Sequence, residues 1–350
     1  MKLPIQPPYA PMEAQLVDRI PTNAGWLYEP KWDGFRCLVF RDGEDVVLQS
    51  KAGKTLHRYF PEVVQDVLAL EAQRFVLDGE IVVPVQGLLS FEDLLQRIHP
   101  AESRINRLAR ETPARLILFD LLVDRDAADL TGEPLAIRRR RLEEFARQYL
   151  EQNSPIGISE AVTDAAVAEA WLDASGADLD GVIAKRLDMG YRSGERTGMQ
   201  KIKKRRTADC VVGGFRYSAA SYAGGRLVGA ERRQVGSLLL GLYDLGGLLH
   251  HVGFCSSLNA TERRALIQQL EPLIEPPGFT GNAPGGPSRW STERSEQWQP
   301  LAPRLVVEVQ WDHFTGGRFR HGTRLLRWRP DKPPHQCTMQ QVQRISPDKQ

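Results

Sequence analysis

The chain holds no apolar run long enough to span a bilayer, so no membrane-spanning helix is expected. Its opening residues, Met-Lys-Leu-Pro-Ile-Gln-Pro-Pro, are too short and proline-rich for a signal peptide. Cysteine is scarce. Cys37, Cys210, Cys255 and Cys337 lie far apart, with no C-x-x-C pair and no metal-ligand spacing to the 7 histidines. They read as reduced thiols in a cytoplasmic protein rather than as a disulfide framework or a zinc ribbon. No internal repeat is visible. An excess of charge of one sign is missing as well, since 46 basic and 44 acidic residues leave a net charge of only +2.

That balance hides an asymmetry. Residues 1–207 carry 29 basic and 32 acidic side chains, and residues 208–350 carry 17 and 12. Within residues 185–207, nine lysines and arginines face two acids, a density suited to phosphate contacts. Lys201 and Lys203 alternate as on one face of a strand, which gives them a shared target. At 350 residues and 41% hydrophobic, the chain can bury two ordinary cores, so two domains are expected, divided at 207/208.

The first part alternates strands and helices. A short helix is expected around residues 13–20 and strands at 35–40, 45–50 and 75–83, the first two joined by an Asp42-Gly43 turn. Helices are expected at 60–72, 90–97, 101–110, 134–152 and 164–174. The run Arg138 to Arg141, beside Glu143 and Glu144, reads as a solvated helix face. From 208 the texture changes to short β-rich runs at 210–217, 236–243, 248–254 and 305–313, with one helix about 259–270. That combination points to a small barrel. Residues 276–297, rich in Pro, Gly, Ser and charge, read as a loop.

One octapeptide concentrates useful chemistry: Glu29-Pro30-Lys31-Trp32-Asp33-Gly34-Phe35-Arg36. An amine attacks only when unprotonated, so Lys31 as a nucleophile requires burial beside Trp32 and cationic neighbours to lower its pKa. Asp33 adds a carboxylate and Arg36 a planar phosphate-binding fork, and Gly34 lets the backbone come close to a ligand. A lone K-x-D-G pattern is more often a surface strand entering a turn; the rest of the chain decides.

The pattern K-x-D-G-x-R resembles motif I of the covalent nucleotidyltransferases, which comprise ATP-dependent DNA ligases, RNA ligases and mRNA capping enzymes. Further motifs follow in that family's order. Ser50-Lys51-Ala52-Gly53-Lys54 is similar to the stretch after motif I, Leu77-Asp78-Gly79-Glu80 to motif III, and Phe119-Asp120-Leu121-Leu122 to motif IIIa. Asp180-Gly181-Val182-Ile183-Ala184-Lys185 resembles motif IV, Lys201-Ile202-Lys203 motif V, and the basic stretch with Arg324, Arg327, Arg329, Asp331 and Lys332 motif VI. The likeness is to the small bacterial ATP-dependent DNA ligases of the ligase C and ligase D type. It implies an α+β chain: a nucleotidyltransferase domain of ATP-grasp-like antiparallel sheets with helices, followed by a β-barrel OB-fold domain.

The same resemblance implies function. Lys31 takes AMP from ATP with Mg2+ or Mn2+, and the AMP then activates the 5′-phosphate of nicked or broken duplex DNA. Asp180 becomes the metal carboxylate. Glu29, Arg36, Glu80, Phe119, Val182, Lys185, Lys201 and Lys203 bind the nucleotide: Glu80 at the ribose, Phe119 stacked on adenine, Val182 over the base's other face. Arg329, Asp331 and Lys332 swing in from the barrel about a hinge at residues 205–209. Lys51 and Arg36 engage the nick, and the Gly-rich loop 218–235 clamps DNA with Arg226, Arg232 and Arg233. A monomer in the bacterial cytoplasm at the nucleoid is implied, with repair proteins of the Ku or primase-polymerase kind as compatible partners. Two positions depart from the family pattern: Asp180 stands where glutamate is usual, and Lys51 where arginine is. An RNA-directed relative and a non-catalytic nucleic-acid-binding barrel are the rival readings.

Overall fold

The computed structural model describes residues 1–174, 179–204, 206–285, 297–320 and 322–342. The chain divides into two compact units, Met1–Lys204 and Arg205–Gln350.

Two sheets build the first unit. A five-stranded sheet runs in the order Asp45–Ser50, Phe35–Asp42, Arg74–Val82, Arg115–Val123 and Ile156–Ile158. All neighbours are antiparallel except the last pair. A four-stranded sheet runs Gln15–Val17, Met199–Ile202, Leu179–Arg186 and Trp26–Trp32. Residues 15–17 therefore form an edge strand, not the expected helix: Leu16 pairs in parallel with Lys201, giving these backbone groups partners a short exposed helix would lack. The hairpin turn also sits one residue later than expected, with Asp42 opposite Asp45 and Gly43 at φ +65°.

Five helices cover these sheets: α1 (Pro61–Ala69), α2 (Phe91–Gln96), α3 (Glu102–Glu111), α4 (Leu135–Tyr149) and α5 (Ala165–Ala174). On the outer face of the five-stranded sheet, Val63 and Val67 of α1 and Leu142 and Phe145 of α4 join a core with Phe75 and Leu77. On its inner face, Leu38, Phe40, Val76 and Leu122 pack with Met199 and Ile183 of the other sheet. The period-2 alternation of strands sends Val182, Ala184 and Ile202 the opposite way, into a core with Ala168 and Trp171 of α5.

The arginine run on α4 is not a solvated face. Arg138 and Arg139 are buried along with Leu135, Leu142 and Phe145, an i, i+3, i+4, i+7, i+10 stripe, while Arg140 and Arg141 pair with Glu144 in solvent. Arg138 clasps Asp120 through Nε and Nη2 at 2.8 and 2.9 Å and caps two carbonyls, those of Glu133 and Met189. A buried charge survives only when paired in this way.

The second unit is a five-stranded barrel. Its order is Leu249–Cys255, Val235–Tyr243, Arg206–Tyr217, Val306–Trp311 and Arg324–Trp328, and a parallel bridge between Cys255 and Thr323 brings the last strand beside the first. Helix α6 (Ala260–Leu270) lies between the third and fourth strands in chain order and starts from a capping box of Asn259 and Glu262. This is the OB-fold arrangement. Its first strand begins at Arg206, and Arg206 to Ala208 pair with Trp311, Gln310 and Val309, so the unit starts earlier than the residue read from the sequence. Of the hinge expected at residues 205–209, Arg205 lies outside the described residues and the rest are locked into the barrel by this pairing. Of the loop read at 276–297, residues 286–296 also lie outside them. All four cysteines are buried free thiols.

Candidate active site

A cavity of about 210 Å³ opens on the first unit, lined by Glu29, Lys31, Trp32, Arg36, Lys51, Glu80, Phe119, Ile183, Lys185, Met199 and Lys201 among others. Residues from four sequence-distant strands thus converge on one wall. Lys31 comes from the end of Trp26–Trp32, Glu80 from Arg74–Val82, Ile183 and Lys185 from Leu179–Arg186, and Lys201 from Met199–Ile202.

Two glycines make this convergence possible. A Cβ on Gly34 would stand 2.3 Å from the Ile81 carbonyl oxygen, so Gly34 lets two backbone segments touch, in place of the ligand approach expected of it from the sequence. Gly181, at φ +128°, has the Ile202 carbonyl oxygen 2.0 Å from where a Cβ would lie. It creates the strand irregularity between Leu179 and Val182 beside Asp180.

The nucleophile candidate is in a salt bridge. Lys31 Nζ lies 2.5 Å from Asp180, whose carboxylate also meets Lys203 Nζ at 3.0 Å. Burial is the largest influence on Lys31 and works to discharge it, but Asp180, then Glu80 and Asp33, outweigh burial and leave its pKa above the ordinary lysine value. The expectation of a lowered pKa therefore fails for this state of the site: its nearest neighbours are anions. Lys201 shows the opposite behaviour. Burial, followed by repulsion from Lys31, Lys51 and Lys203, lowers its pKa, and among the described residues it forms no ion pair.

Glu80 faces the cavity with no ion-pair partner among the described residues, and burial pushes its pKa up to about 7 against an ordinary 4.5, although Lys31 and Arg36 pull it down. The folded chain thus keeps a proton on Glu80 that the unfolded chain loses at lower pH. The stabilisation linked to this proton is complete below about pH 4.5 and lost as pH rises through about 7. Relative to pH 5, wild type at pH 8 is expected to lose about 1–3 kcal/mol more than a Glu80→Gln variant, read by urea unfolding. Equal losses in both proteins would refute this.

Other candidates are engaged differently from expectation. The Arg36 fork is bidentate to Asp78 at 2.5 Å for both bonds and lies over Phe119 at 4.7 Å, so it is occupied within the protein rather than free for a nick phosphate. Phe119 also carries Lys185 Nζ 4.5 Å from its ring centroid. Val182 is fully buried on the α5 side, and its neighbour Ile183 lines the cavity instead. Strand alternation from Lys185, which does face the cavity, carried the signal for Ile183. Glu29 is buried and pairs with Lys185 at 2.7 Å and with Arg139 at 3.5 Å. Arg139 is a site neighbour the sequence did not reveal, because it reads there as part of a solvated run. Lys51 is exposed at the rim and pairs with Glu13 at 3.1 Å.

In the barrel, Arg329 binds Asp209 at 2.9 Å and Asp331 at 2.8 Å, and Lys332 lies 3.9 Å from Asp209. Loop 218–235 is ordered as a hairpin, Tyr222–Ala223 against Arg226–Leu227, turning at Gly224 and Gly225. Arg226 and Arg232 are exposed, but Arg233 is turned onto Glu271 at 3.0 Å and the Val228 carbonyl, anchoring the loop rather than reaching outward.

Converging lysines, a carboxylate against the central one and apolar walls suit nucleotidyl transfer, and comparison with known families decides the matter. The family described as the ATP dependent DNA ligase domain matches residues 11–203, and the ATP dependent DNA ligase C terminal region matches residues 231–332. The chain is an ATP-dependent DNA ligase. It is 44% identical over 353 residues to DNA ligase C1 of Mycolicibacterium smegmatis, covering 98% of this chain and 96% of that protein. DNA ligase C of Mycobacterium tuberculosis is 42% identical over 358 residues, with the same two coverages of 98% and 96%. Among solved structures, a Lig E DNA ligase described as binding DNA with a minimal scaffold superposes with TM-score 0.56 at 16% identity, covering 91% of this chain and 99% of that one, which supports the fold. The RNA-directed and non-catalytic readings fall with these matches. As in the family, the two units of this ligase are the nucleotidyltransferase domain and the OB-fold domain. Among the described residues no helix is long and apolar enough to cross a membrane.

Proposed function

We propose that this ligase joins 5′-phosphate and 3′-hydroxyl ends of duplex DNA with Lys31 as its nucleophile, the carrying observation being the Lys31 ammonium held at the cavity wall by Asp180 beside Lys201 and Lys203. In the first step the deprotonated Lys31 Nζ bonds to the α-phosphorus of ATP as the bond to the pyrophosphate oxygen breaks. Negative charge spreads over the phosphoryl oxygens, and Lys201 and Lys203 are the cations placed to meet it. Phe119 and Ile183 offer apolar faces to the base, and Glu80 accepts from the ribose hydroxyl. In the second step the DNA 5′-phosphate oxygen attacks the same phosphorus, restoring the lysine. In the third, the 3′-hydroxyl attacks the activated 5′-phosphate and AMP leaves.

The Asp180 carboxylate beside Lys31 is a hard oxygen donor, and an oxygen of Asp33 lies within 4.8 Å of it; this donor pair fits magnesium or manganese. Bound there, the ion supplies charge neutralisation of the phosphates. The work of Asp180 is twofold: it orients Lys31, and any competitor for its oxygens loosens the pair and eases Lys31 toward the free amine. Arg329 and Lys332 are placed in one cluster suited to the departing pyrophosphate, with Asp209 as their resting partner. Arg226 and Arg232 are the loop residues with free access to a DNA backbone, and Lys51 the rim cation for a nick. Repair of chromosomal breaks in the bacterial cytoplasm, alone or beside Ku-type or primase-polymerase proteins, is the setting this reading supports.

The test is a label chase. Protein incubated with α-labelled ATP and a divalent metal should take up label and discharge it onto nicked DNA with a sealed product. Discharge onto nicked RNA alone, or no label with any metal, would overturn the reading.

A further inference from the structure

Tyr191 lies in none of the motif segments and takes no part in the steps above, yet it is 5% exposed and bonded on both sides. Its hydroxyl donates to Asp78 Oδ2 at 2.6 Å and accepts the Met12 backbone N–H at 2.9 Å. Asp78, itself fully buried, holds the Arg36 guanidinium through Nε and Nη2, and the same Nη2 reaches the Met12 carbonyl at 3.3 Å. Tyr191, Asp78, Arg36 and Met12 thus close a ring of hydrogen bonds. Two of its members, Arg36 and Met12, line the cavity, the latter together with Pro11, Glu13 and Ala14.

The fold gathers these groups from separate stretches of chain. Arg36 stands opposite Glu80 and Leu38 opposite Asp78, so strand alternation puts Arg36, Asp78 and Glu80 on the inner face of the five-stranded sheet. Tyr191 is seated by its backbone N–H on the Thr131 carbonyl at 2.8 Å and by a stack on Tyr9, the ring centroids 6.3 Å apart. Burial, then the charge of Asp78, raise the pKa of the phenol, so the hydroxyl keeps its proton and remains a donor. Arg36 commits Nε and Nη2 to the ring, and Nη1 to no group among the described residues. That nitrogen can still meet a hydroxyl or phosphate oxygen of a nucleotide.

We propose that Tyr191 is a positioning residue for nucleotide binding: its hydroxyl ties Asp78 to the Met12 peptide, so that the Arg36 guanidinium is held at one place on the cavity wall, 4.7 Å over Phe119, when the nucleotide enters. The inference rests on the nucleotide reading of this cavity. A carboxylate and a guanidinium bonded only to each other still turn together about their side-chain torsions. A third partner on the carboxylate removes that freedom, which is how supporting hydrogen bonds fix a group that meets the ligand. Tyr191→Phe keeps the ring and its stack on Tyr9 but opens the circuit at both hydroxyl bonds, leaving Asp78 one donor fewer and the Met12 N–H without its acceptor.

The experiment follows formation of the protein-AMP adduct over a range of ATP concentrations in wild type, Tyr191→Phe, Arg36→Gln and the double variant. Tyr191→Phe is expected to raise KM for ATP about 10-fold, the worth of one hydrogen bond to a charged acceptor, with the rate at saturating ATP within about twofold of wild type. Because Tyr191 acts through Arg36, the double variant should show the KM of Arg36→Gln alone. Two KM effects that multiply in the double variant overturn the proposal. A purely structural role lowers the thermal midpoint and the fraction of protein that takes up label while KM stays at the wild-type value, which overturns it as well. Should Arg36→Gln not fold, the KM and saturating rate of Tyr191→Phe decide alone. An unchanged KM in Tyr191→Phe leaves Lys31 as nucleophile and sinks this inference only; a wild type that takes up no label fails the underlying reading and this inference together.

Discussion

A Lys31→Ala protein should take up no label from α-labelled ATP and seal no nicks, a loss of about 10⁴-fold or more, because no neighbouring group can replace an amine nucleophile. The fold should survive. Removing Lys31 leaves Asp180 with Lys203 at 3.0 Å, so the carboxylate is not stranded. DNA supplied with a pre-adenylylated 5′-phosphate bypasses the missing step, and the variant should join it at a rate within about tenfold of wild type, because the bond formed there does not involve Lys31. Equal failure on both substrates would show instead that the substitution collapses the site. The pairing with Asp180 adds a pH signature. Lys31 is protonated in the resting site and its pKa is raised, so adduct formation in wild type should still be climbing above neutral pH.

Arg138→Ala should have the largest effect on stability. The pair it forms with Asp120 is 2% exposed on each side, and truncation leaves a carboxylate in the core with no counter-charge. Breaking such a pair costs about 3–5 kcal/mol. For a unit of this size that corresponds to a fall of roughly 6–20 °C in the first thermal transition. The double variant Arg138→Met with Asp120→Leu should recover most of the loss, since two well-packed apolar side chains avoid the desolvation penalty of both ions. Calorimetry on the three proteins checks this. A single variant as stable as wild type would mean that water reaches Asp120 and the pair is not buried in solution. Activity should fall with Arg138→Ala as well, because Asp120 directly follows Phe119 of the cavity wall.

The arginine run shows where sequence reading stops. Four consecutive arginines next to two glutamates on a helix read as a solvated face, and for Arg140 and Arg141 that is how the helix uses them. Arg138 and Arg139 lie on the buried stripe because Leu135, Leu142 and Phe145 set which face turns inward, and two acids from other strands wait there. The positions of Asp120 and Glu29 relative to α4 are not written in local sequence. The edge strand at residues 15–17 escapes a sequence reading for a related reason: its partner, Met199–Ile202, lies far along the chain. Val182 and Ile183 illustrate a finer limit. The motif is legible, but which of two adjacent residues faces the cavity depends on the register set at Gly181.

What the sequence determined by itself was the class of chemistry and the order of parts. Short motifs with fixed spacing, a lysine beside an acid and a glycine, alternating lysines on one strand and a change of texture near residue 208 are local properties, so they survive without coordinates. The longer helices were equally legible, the expected one at residues 13–20 excepted, since the 3.6-residue period is local too. Only the tertiary structure decided the charge state of Lys31, the occupation of Arg36 by Asp78, the inward turn of Arg233 and the grip of Arg139 on Glu29. Electrostatic energy depends on distances between groups far apart in sequence and on how much water separates them, and neither quantity exists until the sheets have closed on one another.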